Sequence, residues 1–78
     1  MNGHRSTDNL VRMANSIGDF FNAMPDQEEA CRDLAMHLQR YWEPRMRSGL
    51  LRHLENHQGE GLQEIVLVTL RQYRAELG

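Results

Sequence analysis

The sequence lacks the features of a secreted protein, which are paired cysteines and an apolar signal segment. Its 78 residues include one cysteine, two prolines and no lysine. A single cysteine excludes a disulfide framework and is typical of a reducing compartment. No apolar run approaches the roughly 20 residues of a membrane span, and residues 1–7 lack the apolar middle of a secretory signal. We therefore expect a soluble, cytoplasmic protein with a loose N-terminus over residues 1–7.

The chain is too short for more than one domain. A chain of this size buries only about 60% of the surface that it exposes when unfolded, so its own core gives marginal stability. Small domains without disulfides commonly gain stability from a partner. The net charge of −2 argues against a chain that binds a polyanion over its whole surface. These observations favour a subunit that docks on a larger protein.

Apolar residues recur at three- and four-residue spacing along most of the chain, which is the pattern of amphipathic helices. The predicted helices cover about residues 8–24, 26–42, 44–57 and 62–77. The predicted fold is therefore all-α, a single domain 1–78 built as a small bundle of four short helices with tight proline and glycine connections. The apolar positions of the first helix are Leu10, Met13, Ala14, Ile17, Phe20, Phe21 and Met24.

Asp26 indicates where the second helix starts, and Gly18 indicates how the first helix packs. Asp26 follows a proline and precedes acidic residues, so it is the predicted N-cap of the second helix. Gly18 lies inside the first helix, where glycine costs about 1 kcal/mol relative to alanine. A glycine at such a position predicts the close approach of another backbone.

The segment 40–47 forms the corner between the second and third predicted helices. Pro44 suits the first turn of a helix, and the residue before a proline is pushed away from helical geometry. Arg45 and Arg47 then fall in a first turn, where the helix dipole disfavours cations. Two interpretations stay open. The arginines face an anionic partner, or they are solvated close to Glu43 or to an acid brought in by folding.

Other residues of the predicted partner surface are aromatic or aliphatic. Tyr41 and Trp42 have large apolar bodies with polar tips, which are common interface anchors. Leu67 and Val68 point away from the apolar stripe of the last helix, so they indicate either an interface or scattered surface aliphatics. Self-association of the isolated chain is a second way to cover this surface. The candidate partner-binding residues are Arg40, Tyr41, Trp42, Arg45, Arg47, Leu67 and Val68.

No pattern in the sequence assembles a catalytic, cofactor or metal site. Cys31 lies on an apolar helix face, where a thiol is normally inert packing. His53 and His57 are four residues apart and could chelate a metal, but two ligands are too few and histidines also suit a helix C-terminus. We expect no catalytic residue, no bound cofactor and no bound metal.

Nucleic-acid binding is the alternative function of a different class. Arg40, Arg45, Arg47 and Arg52 could line one edge of a small helical adaptor. The acidic balance and the lack of lysine argue against this reading.

Four stretches together resemble a known family, and the resemblance covers roughly residues 9–70. The leading helix carries Asn9-Leu10-Val11-Arg12-Met13-Ala14-Asn15 and Ile17-Gly18-Asp19-Phe20-Phe21. They are followed by Met24-Pro25-Asp26 and by the most specific stretch, Tyr41-Trp42-Glu43-Pro44-Arg45-Met46-Arg47. This combination resembles the delta subunit of cytoplasmic, NAD-dependent, molybdenum-containing formate dehydrogenases.

The resemblance implies an accessory subunit rather than an enzyme in its own right. In such complexes the large subunit carries a bis-molybdopterin guanine dinucleotide cofactor and iron–sulfur clusters, and other subunits carry flavin and bind NAD. The delta subunit is associated with maturation or stability of the complex, including acquisition of the molybdenum cofactor. The implied partners are therefore the larger formate dehydrogenase subunits.

Overall fold

The computed structural model describes the backbone of residues 2–78 and the side chains of residues 7–78. Its helices are α1 (Asn2–Asn22), α2 (Gln27–Tyr41), α3 (Pro44–His57), α4 (Glu64–Gln72) and α5 (Arg74–Leu77). Residues 2–78 contain no strand. The prediction of a small all-α bundle is confirmed. No helix in this part of the chain is both long and apolar enough to cross a membrane.

The ends of two predicted helices differ from the structure. α1 begins at Asn2 and not near Asp8, so residues 2–7 are helical where a loose segment was expected, while Met1 lies outside the described residues. No proline interrupts this segment, and once a helix exists each added residue gains a hydrogen bond. The predicted helix 62–77 is two helices, because the chain bends at Tyr73, where φ is −111°.

The bend at Tyr73 brings the end of the chain into the core. The amide of Tyr73 donates to the carbonyl of Thr69, and its own carbonyl accepts from the amide of Leu77. Leu77 is consequently buried with the leucines of the other helices. The largest fully buried side chains are Leu34, Leu38, Leu50, Leu70, Leu77, Val66, Thr69 and Cys31.

Local signals set the remaining helix ends. The Asp26 carboxylate accepts from the amides of Glu28 and Glu29 at 3.0 and 3.3 Å, which confirms it as the N-cap of α2. α3 begins at Pro44 as predicted and ends at His57; the residue that caps it, Gln58, has a left-handed φ of 57°. Gly59 follows with a φ of 70°, and a Cβ there would lie 2.4 Å from a methyl group of Leu67. Glycine is therefore required at position 59 by both backbone and packing.

One face of α1 holds the start of α4. A Cβ on Gly18 would lie 2.9 Å from Cγ2 of Val66, so α4 approaches this glycine closely, but through side chains and not through the backbone that was predicted. One turn earlier, the Asn15 amide donates to the carbonyl of Gly61 and accepts from the amide of Gln63, both at 2.9 Å. These contacts fix the loop between α3 and α4 against α1.

Candidate functional site

Trp42 lies in the core, not on the surface. Its side chain is only 6% exposed and belongs to the same cluster as the buried leucines of α2 and α3. It ends α2 with an extended backbone, and its amide donates to the carbonyl of Leu38. A buried indole offers little surface to another chain, so packing accounts for Trp42, and its contact with a partner stays a prediction.

Arg47 is held by the helix that precedes it. Its Nη1 donates to the carbonyl of Gln39 at 2.7 Å and to the carbonyl of Trp42 at 3.3 Å. These are carbonyls at the C-terminal end of α2, where the helix dipole favours a cation. Neither sequence-based interpretation of Arg47 described this contact. The charge that is unfavourable for α3 is favourable for α2.

The other residues of the predicted corner are exposed. Arg40, Tyr41 and Arg45 all face solvent, and Tyr41 is 71% exposed. The ion pair between Arg74 and Glu55 is the only one among the side chains of residues 7–78, so neither Arg40 nor Arg45 pairs with a carboxylate there. These three residues are the predicted contacts of the corner that a partner can reach in this structure.

Leu67 and Val68 are partly buried. Both pack against the core cluster, and Leu67 also covers Gly59 of the preceding loop. Much of the apolar excess predicted for the last helix is thus covered within the chain itself. Their contact with a partner stays a prediction.

A second exposed apolar surface includes two phenylalanines that the sequence analysis assigned to the core. Phe20 was assigned to the core stripe of α1, but it is 73% exposed. Its ring meets that of Phe21 edge to face at a centroid distance of 5.1 Å. Phe21 in turn lies 5.8 Å from the ring of His37, which lies 5.0 Å from that of Tyr41. We call these four residues of α1 and α2 the aromatic ridge.

A sequence signal for the ridge was available. Phe20 and Phe21 are consecutive, so their side chains point about 100° apart on a helix and cannot both face one narrow core. The pairing with His37 and Tyr41 was not accessible, because it depends on how α1 and α2 pack. A shallow groove of about 290 Å³ runs beside the ridge and is lined by Ser16, Ile17, Phe20, Phe21 and His37.

The residues considered for chemistry lie apart from the aromatic ridge. Cys31 is buried in the core at 2% exposure. The rings of His53 and His57 are 5.6 Å apart, and Nε2 of His53 lies 2.7 Å from the carbonyl oxygen of Glu60. In the part of the chain whose side chains are described, no three His, Cys, Asp or Glu residues are grouped to hold a metal.

The arginine edge required by the nucleic-acid alternative is interrupted. Arg47 is turned toward α2, and its Nε is buried without a partner among the described residues. Arg45 and Arg52 line a groove on the α1 side of α3. The four arginines therefore do not act as one solvated patch.

Comparison with protein families matches residues 9–70 to the NADH-dependent formate dehydrogenase delta subunit, FdsD. The search of curated proteins and the search of solved structures return no match. The family match confirms the resemblance carried by the sequence stretches quoted above. Because it spans well over half of the 78 residues, the chain belongs to the family of delta subunits of NADH-dependent formate dehydrogenases.

Proposed function

We propose that this delta subunit is a non-catalytic accessory subunit that docks on the larger, molybdenum-containing subunit of a cytoplasmic formate dehydrogenase. There it supports assembly, stability or insertion of the molybdenum cofactor. The molybdenum cofactor, iron–sulfur clusters and flavin belong to the larger subunits in this proposal. The aromatic ridge is the docking surface, and the exposure of Phe20 and Tyr41 at its two ends is the observation that carries the assignment.

The energetics of the aromatic ridge support a docking role. Single exposed apolar residues are common on soluble proteins, but a contiguous row of rings is not. Fully burying a phenylalanine side chain is worth about 1.5–3 kcal/mol relative to leaving it in water. Phe20 and Tyr41 are 73% and 71% exposed, so most of that gain is still available to a partner. Aromatic rings also lose little conformational entropy on binding because they have few rotatable bonds.

A charge beside the ridge indicates the chemistry of the complementary surface. Arg40 neighbours Tyr41 in the sequence and is exposed. Arginine forms bidentate hydrogen bonds with carboxylates, and such pairs give an interface its orientation. The partner surface is therefore an apolar pocket with carboxylates on the side that meets Arg40.

Co-purification tests this function. The chain is co-expressed with the larger formate dehydrogenase subunits either unchanged or with Phe20→Asp and Tyr41→Asp together. Since both residues are exposed, the variant folds, which circular dichroism verifies. The matched control is Ala75→Asp, an exposed position on α5. We expect loss of co-purification only for the ridge variant. If the ridge variant co-purifies as well as the control variant, the ridge is not the docking surface.

A further inference from the structure

A second groove lies between α1 and α3. Its volume is about 610 Å³, within the range of pockets that bind small molecules. Its least exposed lining residues include Leu10, Met46 and Gly49, which form an apolar floor. A Cβ on Gly49 would lie 2.8 Å from a methyl group of Leu10, so this glycine lets the leucine sit low against α3.

The exposed lining residues form a polar rim above this floor. They are Asn9, Glu43, Arg45, Arg52, Asn56 and His57. Two arginines outweigh one carboxylate, so the rim is positive at neutral pH. Among residues 7–78, the side-chain amides of Asn9 and Asn56 have no hydrogen-bond partner. The rim therefore offers free donors as well as charge.

The two rim arginines have no counter-charge within the described side chains. Glu55 is close to Arg52 in sequence but pairs with Arg74 of α5 instead. Glu43 lines the groove without forming an ion pair with either arginine. Arg45 also lies in the first turn of α3, where the helix dipole disfavours it. The hydrogen bonds of Arg47 to the C-terminal carbonyls of α2 explain why a cation lies at position 47. No ion pair among the described side chains explains the cations at positions 45 and 52.

We propose that this groove binds a phosphate-bearing small molecule. Arg45 and Arg52 are two helical turns apart, about 10 Å along α3, and their guanidinium groups approach the ligand's phosphate oxygens from two sides. The floor of Leu10, Met46 and Gly49 takes the apolar or planar part of the ligand. The volume of about 610 Å³ and the apolar floor match those of small-molecule sites. The site is independent of the aromatic ridge.

An NMR titration of the full chain tests the site. The probes are inorganic pyrophosphate, ADP and, as the phosphate-free control, adenosine, all at low salt. We expect both phosphate probes to shift amide signals of groove residues, and ADP to bind at least about tenfold more tightly than adenosine. Arg45→Gln with Arg52→Gln weakens ADP binding about tenfold or more. Arg71→Gln, at an exposed arginine of α4 outside the groove, leaves it unchanged.

Four results overturn the proposal. The first is the absence of shifts at saturating pyrophosphate and ADP. The second is an equal loss of binding in the Arg71 control, which indicates non-specific attraction. The third is adenosine binding as tightly as ADP. The fourth is an acidic peptide that binds the groove more tightly than ADP, which makes the groove a contact for a protein segment instead.

Discussion

The guanidinium of Arg47 donates to the carbonyl of Gln39 at 2.7 Å, so a residue of α3 closes the C-terminus of α2. The same Nη1 also donates to the carbonyl of Trp42, so one side chain holds both the end of α2 and the residue that follows it. A charge that opposes its own helix dipole thus stabilises the neighbouring helix. Trp42 and Arg47 of the predicted docking corner are therefore part of the fold, and its other predicted contacts, Arg40, Tyr41 and Arg45, are exposed.

Replacing Arg47 is expected to destabilise the chain. Arg47→Ala removes two charge-assisted hydrogen bonds and leaves helix-end carbonyls unpaired, which costs about 1.5–3 kcal/mol. Arg45→Ala, two residues away and exposed, should change the unfolding free energy by no more than about 0.5 kcal/mol. Urea unfolding of both variants measures the difference. Equal effects would mean that the contact with Gln39 contributes nothing.

Asn15 is expected to fix the loop before α4. Asn15→Ala leaves the partly buried amide of Gln63 without an acceptor and costs about 1–3 kcal/mol. Asn15→Asp keeps the acceptor but loses the donor to Gly61, so its cost is intermediate. Asn22→Ala, at the exposed end of α1, serves as the control. Thermal unfolding ranks the three variants, and an Asn15→Ala variant as stable as the control contradicts the assignment.

Gly18→Ala is expected to destabilise the chain although alanine is the better helix former. The added methyl group gains about 1 kcal/mol of helix propensity but meets Cγ2 of Val66 at 2.9 Å. Val66 is fully buried and β-branched, so it cannot move away, and overpacking costs about 1–3 kcal/mol. Ser16→Ala, at an exposed position of the same helix, should be neutral or stabilising. A stabilised Gly18→Ala variant would contradict this and show that α4 shifts to make room for the added methyl group.

Trp42 is expected to report folding and not docking. As the only tryptophan and 6% exposed, it should fluoresce as a buried indole, resist quenching by acrylamide and shift to longer wavelength only on unfolding. Trp42→Ala should cost about 3–5 kcal/mol. Addition of the larger formate dehydrogenase subunits should leave its accessibility to acrylamide unchanged. A change in quenching on assembly, with the fold intact, would restore Trp42 as a contact residue.

Helix ends with a local chemical cause were predictable from the sequence. Pro44 starts α3, Asp26 caps α2 and the glycines after Gln58 permit left-handed backbone. The bend at Tyr73 has no such signal, because neither glycine nor proline lies there and the apolar spacing continues to Leu77. The bend accompanies the burial of Leu77 among leucines of other helices, which is tertiary packing that the local sequence does not show.

The candidate site was less predictable than the fold. Segment 40–47 was correctly read as a corner, but which of its side chains turn inward depends on the packing of α2 against α3. Trp42 and Arg47 turn inward, while Tyr41 faces solvent. Phe20 fits the periodic stripe of α1 and still points outward, because periodicity does not give the width of the buried face.

Photo-crosslinking from the aromatic ridge tests the docking claim most directly. A photoreactive phenylalanine analogue replaces Phe20 in one chain and Ala75 in another, and each is assembled with the larger formate dehydrogenase subunits before irradiation. We expect a crosslink to one of the larger formate dehydrogenase subunits from position 20 and none from position 75. A complex that assembles normally and gives no crosslink from position 20 would contradict it.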